Sequence, residues 1–372
     1  MKLSKKKVLL FGGSYNPIHQ GHINAALNAS NFLGVDEVWL MPRKYNYDGS
    51  LLLDGKHRVN MIKMAIAELP NFKICDIELK DNKKELIYTY NTASKLTKKY
   101  KDVEFYFLVG ADQLNNLNRW YKADELTKLF NFVCYKRPGY VINQDMIEKY
   151  NITLIDGSLI DTSSTLIRSG IFQKIDEDIH QYILDKQLYL KERVMPRLPE
   201  DRFVHVLSTA RLAKRMAASL NENTNRAYVA GILHDIAKGL THDEIENIVK
   251  EHYPSKLKLP KWAYHAYASE YIAIHQFGIK DKQILKAIRN HVIANKQMSK
   301  LDKIIYCADK LEETRRFAHL VNDIRELAFK DIDKCFILTM ERQIEAFKND
   351  TKEVNPTIHK MVKYYKEKYY GR

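Results

Sequence analysis

Short apolar runs alternate with stretches of helical periodicity through the first half of the chain. Strands that alternate with helices predict a parallel, doubly wound α/β sheet of the Rossmann-like kind. We predict strands over Val8–Phe11, Glu37–Met41, Phe72–Ile77, Glu104–Val109, Phe132–Tyr135 and Ile152–Ile155, and helices over Ile23–Phe32, His57–Leu69, Thr89–Lys99 and Ala123–Phe130. In such a sheet, ligands bind beyond the carboxyl ends of the strands.

The pattern changes near Leu190–Glu200. Arg193, Pro196 and Pro199 interrupt the periodicity, and from Arg202 onwards the chain has only helical patterns. A chain of 372 residues is too long for one ordinary core. We therefore predict two domains, residues 1–190 and residues 191–372, of which the second is all-α.

Composition indicates a soluble protein of a reducing compartment. Hydrophobic residues make up 45% and charged residues 28% of the chain, and no apolar run is long enough to span a bilayer. The four cysteines lack any Cys-x-x-Cys spacing, which argues against a disulfide framework and a zinc knuckle. The net charge of +14 comes largely from scattered lysines. We therefore expect a cytoplasmic protein without membrane or nucleic-acid partners.

A glycine turn leads from the first predicted strand into a helix. It has the sequence Phe11-Gly12-Gly13-Ser14-Tyr15-Asn16-Pro17-Ile18-His19-Gln20-Gly21-His22. Glycines let the backbone approach a ligand, and a helix N-terminus presents N–H groups to anions. His19 and His22 are three residues apart and can add donors on the same side. The turn lacks the third glycine of dinucleotide-binding loops and the Gly-Lys-Ser/Thr of P-loops. We predict a phosphate cradle; two helix-capping core histidines are the alternative, but they leave the glycines unexplained.

Two further polar clusters follow predicted strands. Gly110 and Asp112 end one strand, where the carboxylate can accept from ribose hydroxyls, and Trp120 nearby can stack on a flat ring. In the segment from Asp161 to Gly170, hydroxyl residues cap a helix start and Arg168 lies one turn inside, suited to bidentate phosphate contacts. Taken singly, each cluster is equally compatible with an ordinary cap or core residue. Three such clusters in this order favour a nucleotide site.

Residues 1 to about 190 resemble the bacterial nicotinic acid mononucleotide adenylyltransferases of the nucleotidyltransferase superfamily. The resemblance implies adenylyl transfer from ATP to nicotinic acid mononucleotide with Mg²⁺, which gives deamido-NAD and pyrophosphate. It implies that His19, His22 and Arg168 stabilise the departing pyrophosphate. The implied ATP-binding residues are Gly12, Gly13, Ser14, His19, His22, Gly110, Asp112, Ser163, Ser164, Thr165 and Arg168; those implied at the pyridine ring are Tyr88, Thr89 and Trp120. The segment Met41–Tyr47 departs from the family pattern and leaves the choice between nicotinate and nicotinamide open.

Several helical patterns of the second half carry a polar residue on the apolar stripe. These residues are His205, His234, His265, His291 and Asp309, and Asp235 directly follows His234. Any one of them alone is compatible with a buried, hydrogen-bonded side chain. A charged aspartate facing a helical core needs a partner, however. The whole set is better explained by a metal centre.

The order of these residues resembles the HD-domain metal-dependent phosphohydrolases. The segments Gly231–Lys238, Ile288–His291 and Met298–Asp309 are closest to the symmetrical diadenosine tetraphosphate hydrolases, which yield two ADP at a di-iron centre. The resemblance implies an all-α HD domain in which Asp235 bridges two divalent metals, iron or manganese, and Lys238 contacts phosphate. The implied metal ligands are His205, His234, Asp235, His265, His291 and Asp309.

The sequence as a whole predicts a bifunctional enzyme whose partners are small nucleotides: ATP, nicotinic acid mononucleotide and diadenosine tetraphosphate. Two alternatives stay open for the second half. It could cleave other nucleoside phosphates, or it could be a catalytically silent module that binds nucleotide or RNA and regulates the first half. The sequence leaves the oligomeric state undetermined.

Overall fold

The computed structural model of the chain describes residues 5–46, 52–82, 87–136, 141–157, 162–315, 322–349 and 356–371. Tyr47 and Asp161, which belong to segments singled out above, lie outside these ranges. Contacts divide the chain into two compact units, Met1–Tyr182 and Ile183–Arg372. We call them the first unit and the second unit.

The first unit is built on a six-stranded sheet in which every strand pair is parallel. The strand order is β3-β2-β1-β4-β5-β6, so the chain reverses direction across the sheet between β1 and β4. This confirms the predicted doubly wound sheet. The strands are β1 (Lys6–Gly13), β2 (Glu37–Pro42), β3 (Phe72–Ile74), β4 (Val103–Gly110), β5 (Asn131–Lys136) and β6 (Thr153–Asp156).

Central strands of this sheet are buried on both faces, which explains their continuous apolar runs. Val8, Leu9 and Leu10 of β1 are fully buried. The helices of this part of the chain are α1 (Gln20–Leu33), α2 (Gly55–Ala65), α3 (Thr89–Lys99), α4 (Ala111–Leu114), α5 (Ala123–Leu129), α6 (Gln144–Tyr150), α7 (Ser164–Arg168) and α8 (Glu177–Asp185).

Strand β3 is shorter than the predicted run Phe72–Ile77. The amide of Cys75 still donates to the carbonyl of Leu40 at 2.9 Å, but the chain then turns, and the amide of Lys80 donates to the carbonyl of Asp76 at 3.0 Å. An apolar run alone could not reveal this turn. Its consequence is that Glu78 lies at the carboxyl edge of the sheet and not in a strand.

The described residues of the second unit form helices joined by turns, with no strand among them, as predicted. Its core includes the buried face of α15, with Leu301, Ile304, Ile305 and Ala308. No helix in the described part of the chain combines the length and the apolarity of a membrane span. The helices are α9 (Leu190–Val194), α10 (Glu200–Ser219), α11 (Thr224–Leu233), α12 (His242–His252), α13 (Tyr264–His275), α14 (Lys282–Asn290), α15 (Lys300–Leu311), α16 (Asn322–Leu327), α17 (Ile332–Asn349) and α18 (Pro356–Tyr370).

Gly231 marks a close approach of α10 and α11. A Cβ atom at Gly231 would lie 2.7 Å from Cα and 3.1 Å from the backbone nitrogen of Ala210. Backbone atoms cannot rotate aside as a flexible side chain can, so the helices would have to separate. We expect Gly231→Ala to lower the free energy of unfolding by about 1–3 kcal/mol, measured by urea denaturation. Ser219→Ala, at the exposed end of α10, is the control. Equal stability of the two variants would contradict this packing argument.

Candidate functional sites

The glycine turn brings the two histidines of the first unit together. His19 is the N-cap residue of α1, and its ring centroid lies 3.8 Å from that of His22. The backbone amide of His19 donates to Nδ1 of His22 at 3.3 Å. The buried ring of Tyr15 packs edge-on against His22 at 5.2 Å. Both imidazoles are therefore held at the end of β1, at the N-terminus of α1.

A cavity opens where β1 and β4 end side by side. Its lining includes glycines at the ends of both strands, the side chain of His22, and two of the residues expected at a pyridine ring. This is the point where the strand order reverses, and ligands of open α/β sheets bind there. Among the predicted residues, those that line the cavity are Gly12, Gly13, Ser14, His22, Thr89, Gly110, Asp112 and Trp120.

The short helix α7 and its N-cap hold the loop between the glycine turn and α1. Nη1 of Arg168 donates to the carbonyl of Asn16 at 2.7 Å, and Oγ of Ser164 donates to the carbonyl of Pro17 at 2.8 Å. Ser163 caps α7 by accepting from the amide of Leu166 at 3.2 Å. The structure thus places this predicted cluster against the histidine loop.

Two further predicted residues, Thr165 and Tyr88, contact neighbouring side chains and do not line the cavity. Thr165 Oγ1 accepts from Nη2 of Arg168 at 3.1 Å. Tyr88 is 45% exposed, does not belong to the described cavity lining, and packs against Tyr121 with ring centroids 4.8 Å apart. Of the pair predicted at the pyridine ring, Thr89 therefore lies in the cavity wall and Tyr88 lies on the surface beside it.

Sequence reasoning assigned no site role to three charged residues that line this cavity, Glu78, Arg43 and Lys44. Burial raises the pKa of Glu78 to about 7, although Thr92 Oγ1 donates to its carboxylate at 3.0 Å. A carboxyl group that titrates near neutral pH in the cavity wall can donate or accept a hydrogen bond. Glu78 follows an apolar run without any motif, so nothing in the sequence identified it.

Six residues converge at one buried place in the second unit, from three helices and from the turns that follow α11 and α14. Oδ1 of Asp309 lies 3.1 Å from Nε2 of His205 and 3.5 Å from Nε2 of His234. Each of the six side chains is at most 8% exposed. The structure thus brings together all the predicted metal ligands of this half. They are His205 (α10), His234 and Asp235 (after α11), His265 (α13), His291 (after α14) and Asp309 (α15).

Every histidine of this cluster has its Nδ1 atom engaged on the side away from the centre. Three rings make this contact to the backbone carbonyl three residues earlier: His234 with Gly231 at 2.7 Å, His265 with Trp262 at 2.8 Å and His291 with Ile288 at 2.6 Å. Because a carbonyl oxygen can only accept, Nδ1 carries the proton in these rings. The Nε2 atoms therefore point at the centre as lone-pair donors, as in metal-bound histidine.

The electrostatics of the centre favour a bound cation. Nε2 of His265 and Nε2 of His291 lie 3.2 and 3.3 Å from the same atom, Oδ1 of Asp235. Burial lowers the pKa of His291 to about 4, so its ring is neutral near pH 7. Nε2 of His234 and Oδ1 of Asp235 are buried without a hydrogen bond of good geometry. Acceptor atoms that face one another in a buried place repel unless a positive ion lies between them.

Both aspartates remain ionised despite their burial. Burial opposes the charge of Asp235, but positive charge at the surrounding histidines, His234 first, holds its pKa well below the usual range, so this carboxylate favours a cationic partner. Burial likewise opposes the charge of Asp309, and Lys310 and Arg315 hold its pKa well below the usual range. Neutral imidazoles with ionised carboxylates are the donor set of divalent metals such as iron, manganese and zinc. The cluster therefore fits a divalent metal site.

Two overlapping groups of ligands share His234. One consists of His205, His234 and Asp309, and the other of His234, Asp235 and His291; within each, the donor atoms lie within 4.8 Å of one another. A cavity of about 540 Å³ opens onto the cluster. Its lining is strongly basic, and Lys238, predicted to contact phosphate, is part of it. The cationic residues in the lining are Arg202, Lys238, Lys310, Arg315 and Arg342.

Sequence reasoning also missed Glu312, which supports the metal cluster from outside. Its Oε1 atom lies 2.9 Å from Nδ1 of His205, and its Oε2 atom accepts from the amide of Thr314 at 2.7 Å. Burial opposes the charge of Glu312, but the contact with His205 and the bonds from Thr314 lower its pKa to about 2. The His205–Glu312 contact spans 107 residues of sequence. The sequence gives one signal for this contact, which is the position of Glu312 three residues after Asp309.

We expect Glu312→Gln to weaken metal binding by about 10- to 100-fold, because an outer partner fixes the ring and raises the basicity of its ligand. Metal affinity measured by competition with a chromogenic chelator gives the readout. Glu313→Gln is the matched control, since the Glu313 side chain is 69% exposed and its ion pair with Arg215 is on the surface. If the two variants bind metal equally well, Glu312 has no part in orienting His205.

Comparisons with known proteins match the two halves of the chain to different families. The cytidylyltransferase-like family matches residues 10–170, and the HD domain family matches residues 202–314. A probable nicotinate-nucleotide adenylyltransferase/Ap4A hydrolase of Mycoplasma genitalium is 32% identical over 349 residues, which cover 91% of this chain and 97% of the relative. A probable nicotinate-nucleotide adenylyltransferase of Streptococcus pyogenes serotype M1 is 37% identical over 170 residues, 45% of this chain and 78% of the relative.

Among solved structures, a predicted HD superfamily hydrolase involved in NAD metabolism from Clostridium acetobutylicum has 29% identity and a TM-score of 0.45. The match covers 50% of this chain and 97% of that one. The resemblances expected for both halves from their motifs are thus confirmed by the family matches and the full-length relatives.

Proposed function

Since the chain belongs to the family of nicotinate-nucleotide adenylyltransferase/Ap4A hydrolases, we propose that each unit carries one of these two activities. The first unit transfers AMP from ATP to nicotinic acid mononucleotide, which yields deamido-NAD and pyrophosphate. The second unit hydrolyses diadenosine tetraphosphate symmetrically to two ADP. The domain division that we propose is residues 1–190 for the transferase and residues 191–372 for the hydrolase.

In the proposed transfer, the phosphate of the acceptor attacks the α-phosphorus of ATP, and the bond to the pyrophosphate breaks. No protein nucleophile is needed, so this chain's contribution is positioning and electrostatic stabilisation. The glycine turn and the N-terminus of α1 offer N–H groups, and His19 and His22 act as donors to the ATP phosphates. On the other side of the histidine loop, the ATP phosphates are bound by Ser163, Ser164, Thr165 and Arg168. Mg²⁺, when bound with ATP, neutralises phosphate charge.

Acceptor recognition is assigned to the part of the cavity lined by Thr89 and Trp120, with Tyr88 at its edge. Gly110 and Asp112 are assigned to ATP, with the carboxylate as an acceptor for ribose hydroxyls. Glu78 and Arg43 support a site for a polar ring substituent, because both line the same cavity. A comparison of rates with nicotinic acid mononucleotide and nicotinamide mononucleotide tests the preference for nicotinate. Faster turnover of the amide would overturn it.

In the proposed hydrolysis, water adds across the central P–O–P linkage, one ADP leaves, and the second ADP carries the new oxygen. Two divalent ions, iron with manganese as the alternative, would be held by His205, His234, Asp235, His265, His291 and Asp309, with Asp235 between them. When bound, they would lower the pKa of water and neutralise the attacked phosphate. Cationic side chains of this cavity, Lys238 among them, would bind the remaining phosphates and keep them in one orientation.

The observation that supports this half most directly is the buried set of four inward Nε2 atoms around two ionised aspartates. Its test is metal analysis of the purified chain, followed by product analysis with diadenosine tetraphosphate in one assay and mononucleotides in another. About two metal ions per chain and ADP as the sole product are expected. A metal-free chain that binds nucleotide or RNA without cleaving it would favour the silent module instead. Five cations around one cavity favour a polyphosphate over a mononucleotide.

A further inference from the structure

A second large cavity of the second unit, with a volume of about 720 Å³, shares no lining residue with the cavity over the metal ligands. Its walls come from α10, from α11 and from the turn after α15. We call it the α10 cavity. Cavities of this volume are large enough for a small organic ligand. Neither activity proposed above uses it.

One face of α10 forms most of this lining. Val204, Ser208, Arg211 and Arg215 line the cavity, and their spacing of three or four residues places them on one side of the helix. The metal ligand His205 follows Val204 by one residue, which is about 100° around the helix axis. Helix α10 therefore serves the metal cluster with one face and the α10 cavity with another.

The polar part of the lining is cationic. It contains Arg211, Lys214 and Arg215, which lie within five residues of α10. Among the described residues, only Arg215 has a carboxylate nearby, that of Glu313 at 3.8 Å, and the two side chains are 65% and 69% exposed. An exposed ion pair contributes little, so most of the positive charge on this wall is not neutralised by the protein. A doubly charged group such as a phosphate matches three adjacent cations better than a single carboxylate does.

The remaining lining is apolar and aromatic. Val204 is 44% exposed at the cavity wall, and Leu207 and the ring of Tyr228 lie beside it in the lining. Nζ of Lys214 lies 5.9 Å from the centroid of the Tyr228 ring, so the aromatic and cationic parts adjoin. Exposed apolar side chains that line a cavity are typical of ligand sites.

Tyr228 also offers a hydrogen-bond donor to this space. Burial raises the pKa of its hydroxyl, against the effect of Arg211, so the group keeps its proton at neutral pH. Within the described part of the chain, this hydroxyl makes no hydrogen bond. A ligand that combines an anionic group, a flat ring and polar oxygen atoms therefore matches all parts of the lining.

We propose that the α10 cavity is a binding site for a phosphorylated ring compound of mononucleotide size. The phosphate lies on Arg211, Lys214 and Arg215, and the ring packs against Tyr228 and Val204. This site is additional to the two proposed catalytic sites. It depends on neither activity, so failure of one of them leaves it standing.

The test uses the full chain and the photoreactive probe 8-azido-AMP, with the labelled peptides identified by mass spectrometry. Saturable labelling of α10 or α11 at residues of the cavity lining is expected. Arg211→Glu is expected to raise the half-saturating concentration for this labelling by about 10- to 100-fold, because it removes a charge-assisted hydrogen bond. Lys282→Glu is the matched control, because it reverses one exposed charge on α14 outside the cavity, and it is expected to label as the parent does. Far-UV circular dichroism checks that both variants are folded.

Competition separates the two parts of the ligand. AMP is expected to displace the label from the α10 cavity at a concentration about 10-fold lower than ribose 5-phosphate, which lacks the ring, or adenosine, which lacks the phosphate. In Tyr228→Leu the advantage of AMP over ribose 5-phosphate is expected to disappear, since the stacking partner is lost.

Three results would overturn the proposal. The first is labelling that leaves α10 and α11 unmodified. The second is labelling there that Arg211→Glu and Lys282→Glu affect equally. The third is competition by ribose 5-phosphate or adenosine at the same concentration as AMP, since the cavity would then recognise only one part of the proposed ligand.

Discussion

Asp235→Asn is expected to lower hydrolysis of diadenosine tetraphosphate by about a thousandfold or more, since loss of an outer-shell partner alone costs about 10- to 100-fold. Adenylyl transfer by the same protein is expected to stay near the parent value. The physical reason is charge. Oδ1 of Asp235 faces Nε2 of His265 and Nε2 of His291 at 3.2 and 3.3 Å, and a neutral amide cannot draw a divalent ion into that position.

Metal content provides a second readout for Asp235→Asn, and it should fall below that of the parent chain. Asp243→Asn, on the exposed first turn of α12, is the matched control for loss of one carboxylate. Far-UV circular dichroism checks that both variants are folded. Full metal content together with normal hydrolysis in Asp235→Asn would remove this residue from the centre.

His22→Ala is expected to reduce adenylyl transfer by about 10²- to 10³-fold, the usual result of removing one fixed donor to developing charge. Its ring lines the cavity at the strand ends, and its Nδ1 atom accepts from the amide of His19 at 3.3 Å. Truncation thus removes a donor and loosens the start of α1. Single-turnover rates of deamido-NAD formation measure the chemical step directly.

Hydrolysis of diadenosine tetraphosphate by His22→Ala serves as an internal reference and is expected to be unchanged. His180→Ala is the matched control in the same unit, because its imidazole packs on Phe172 at 4.2 Å and pairs with Glu177 at 3.6 Å. A near-normal rate of transfer in His22→Ala would mean that the histidine loop serves the fold and not the reaction.

The elements that the sequence predicted best are those in which the local pattern and the tertiary environment agree. Helix α3 begins and ends at the predicted residues Thr89 and Lys99, and β1, β4 and β5 each contain the predicted run. All six predicted strands form within a residue or two at their starts. Helix α6 (Gln144–Tyr150), in contrast, has no fully buried residue, so it lacks the apolar stripe by which a helix is predicted.

Strand order and the supporting residues of both sites depend on contacts that a local pattern does not contain. Arg58 is buried and donates to the carbonyls of Ser14 at 2.8 Å and Leu53 at 2.7 Å, but a lone arginine in a helical pattern is usually solvated. Glu312 meets His205 only when α10 and α15 pack against each other. The metal ligands and the phosphate-binding residues could be predicted because their residue types and spacing indicate the chemistry. The residues that orient them, such as Arg58 and Glu312, belong to no motif.

The Nδ1 atoms of His234, His265 and His291 bond to main-chain carbonyls, so the centre is expected to respond differently to substitutions and to deletions. The side chains of Trp262 and Ile288 take no part in these bonds, so substitutions there that preserve the local backbone leave His265 and His291 oriented as before. Gly231 is the exception, because a Cβ atom there would press against the backbone of Ala210. Trp262 can thus be replaced while its carbonyl keeps His265 in place. A deletion of one residue between such a carbonyl and its histidine would instead rotate the imidazole away from the other metal ligands. The centre is therefore expected to tolerate substitutions at Trp262 and Ile288 better than changes of chain length between a carbonyl and its histidine.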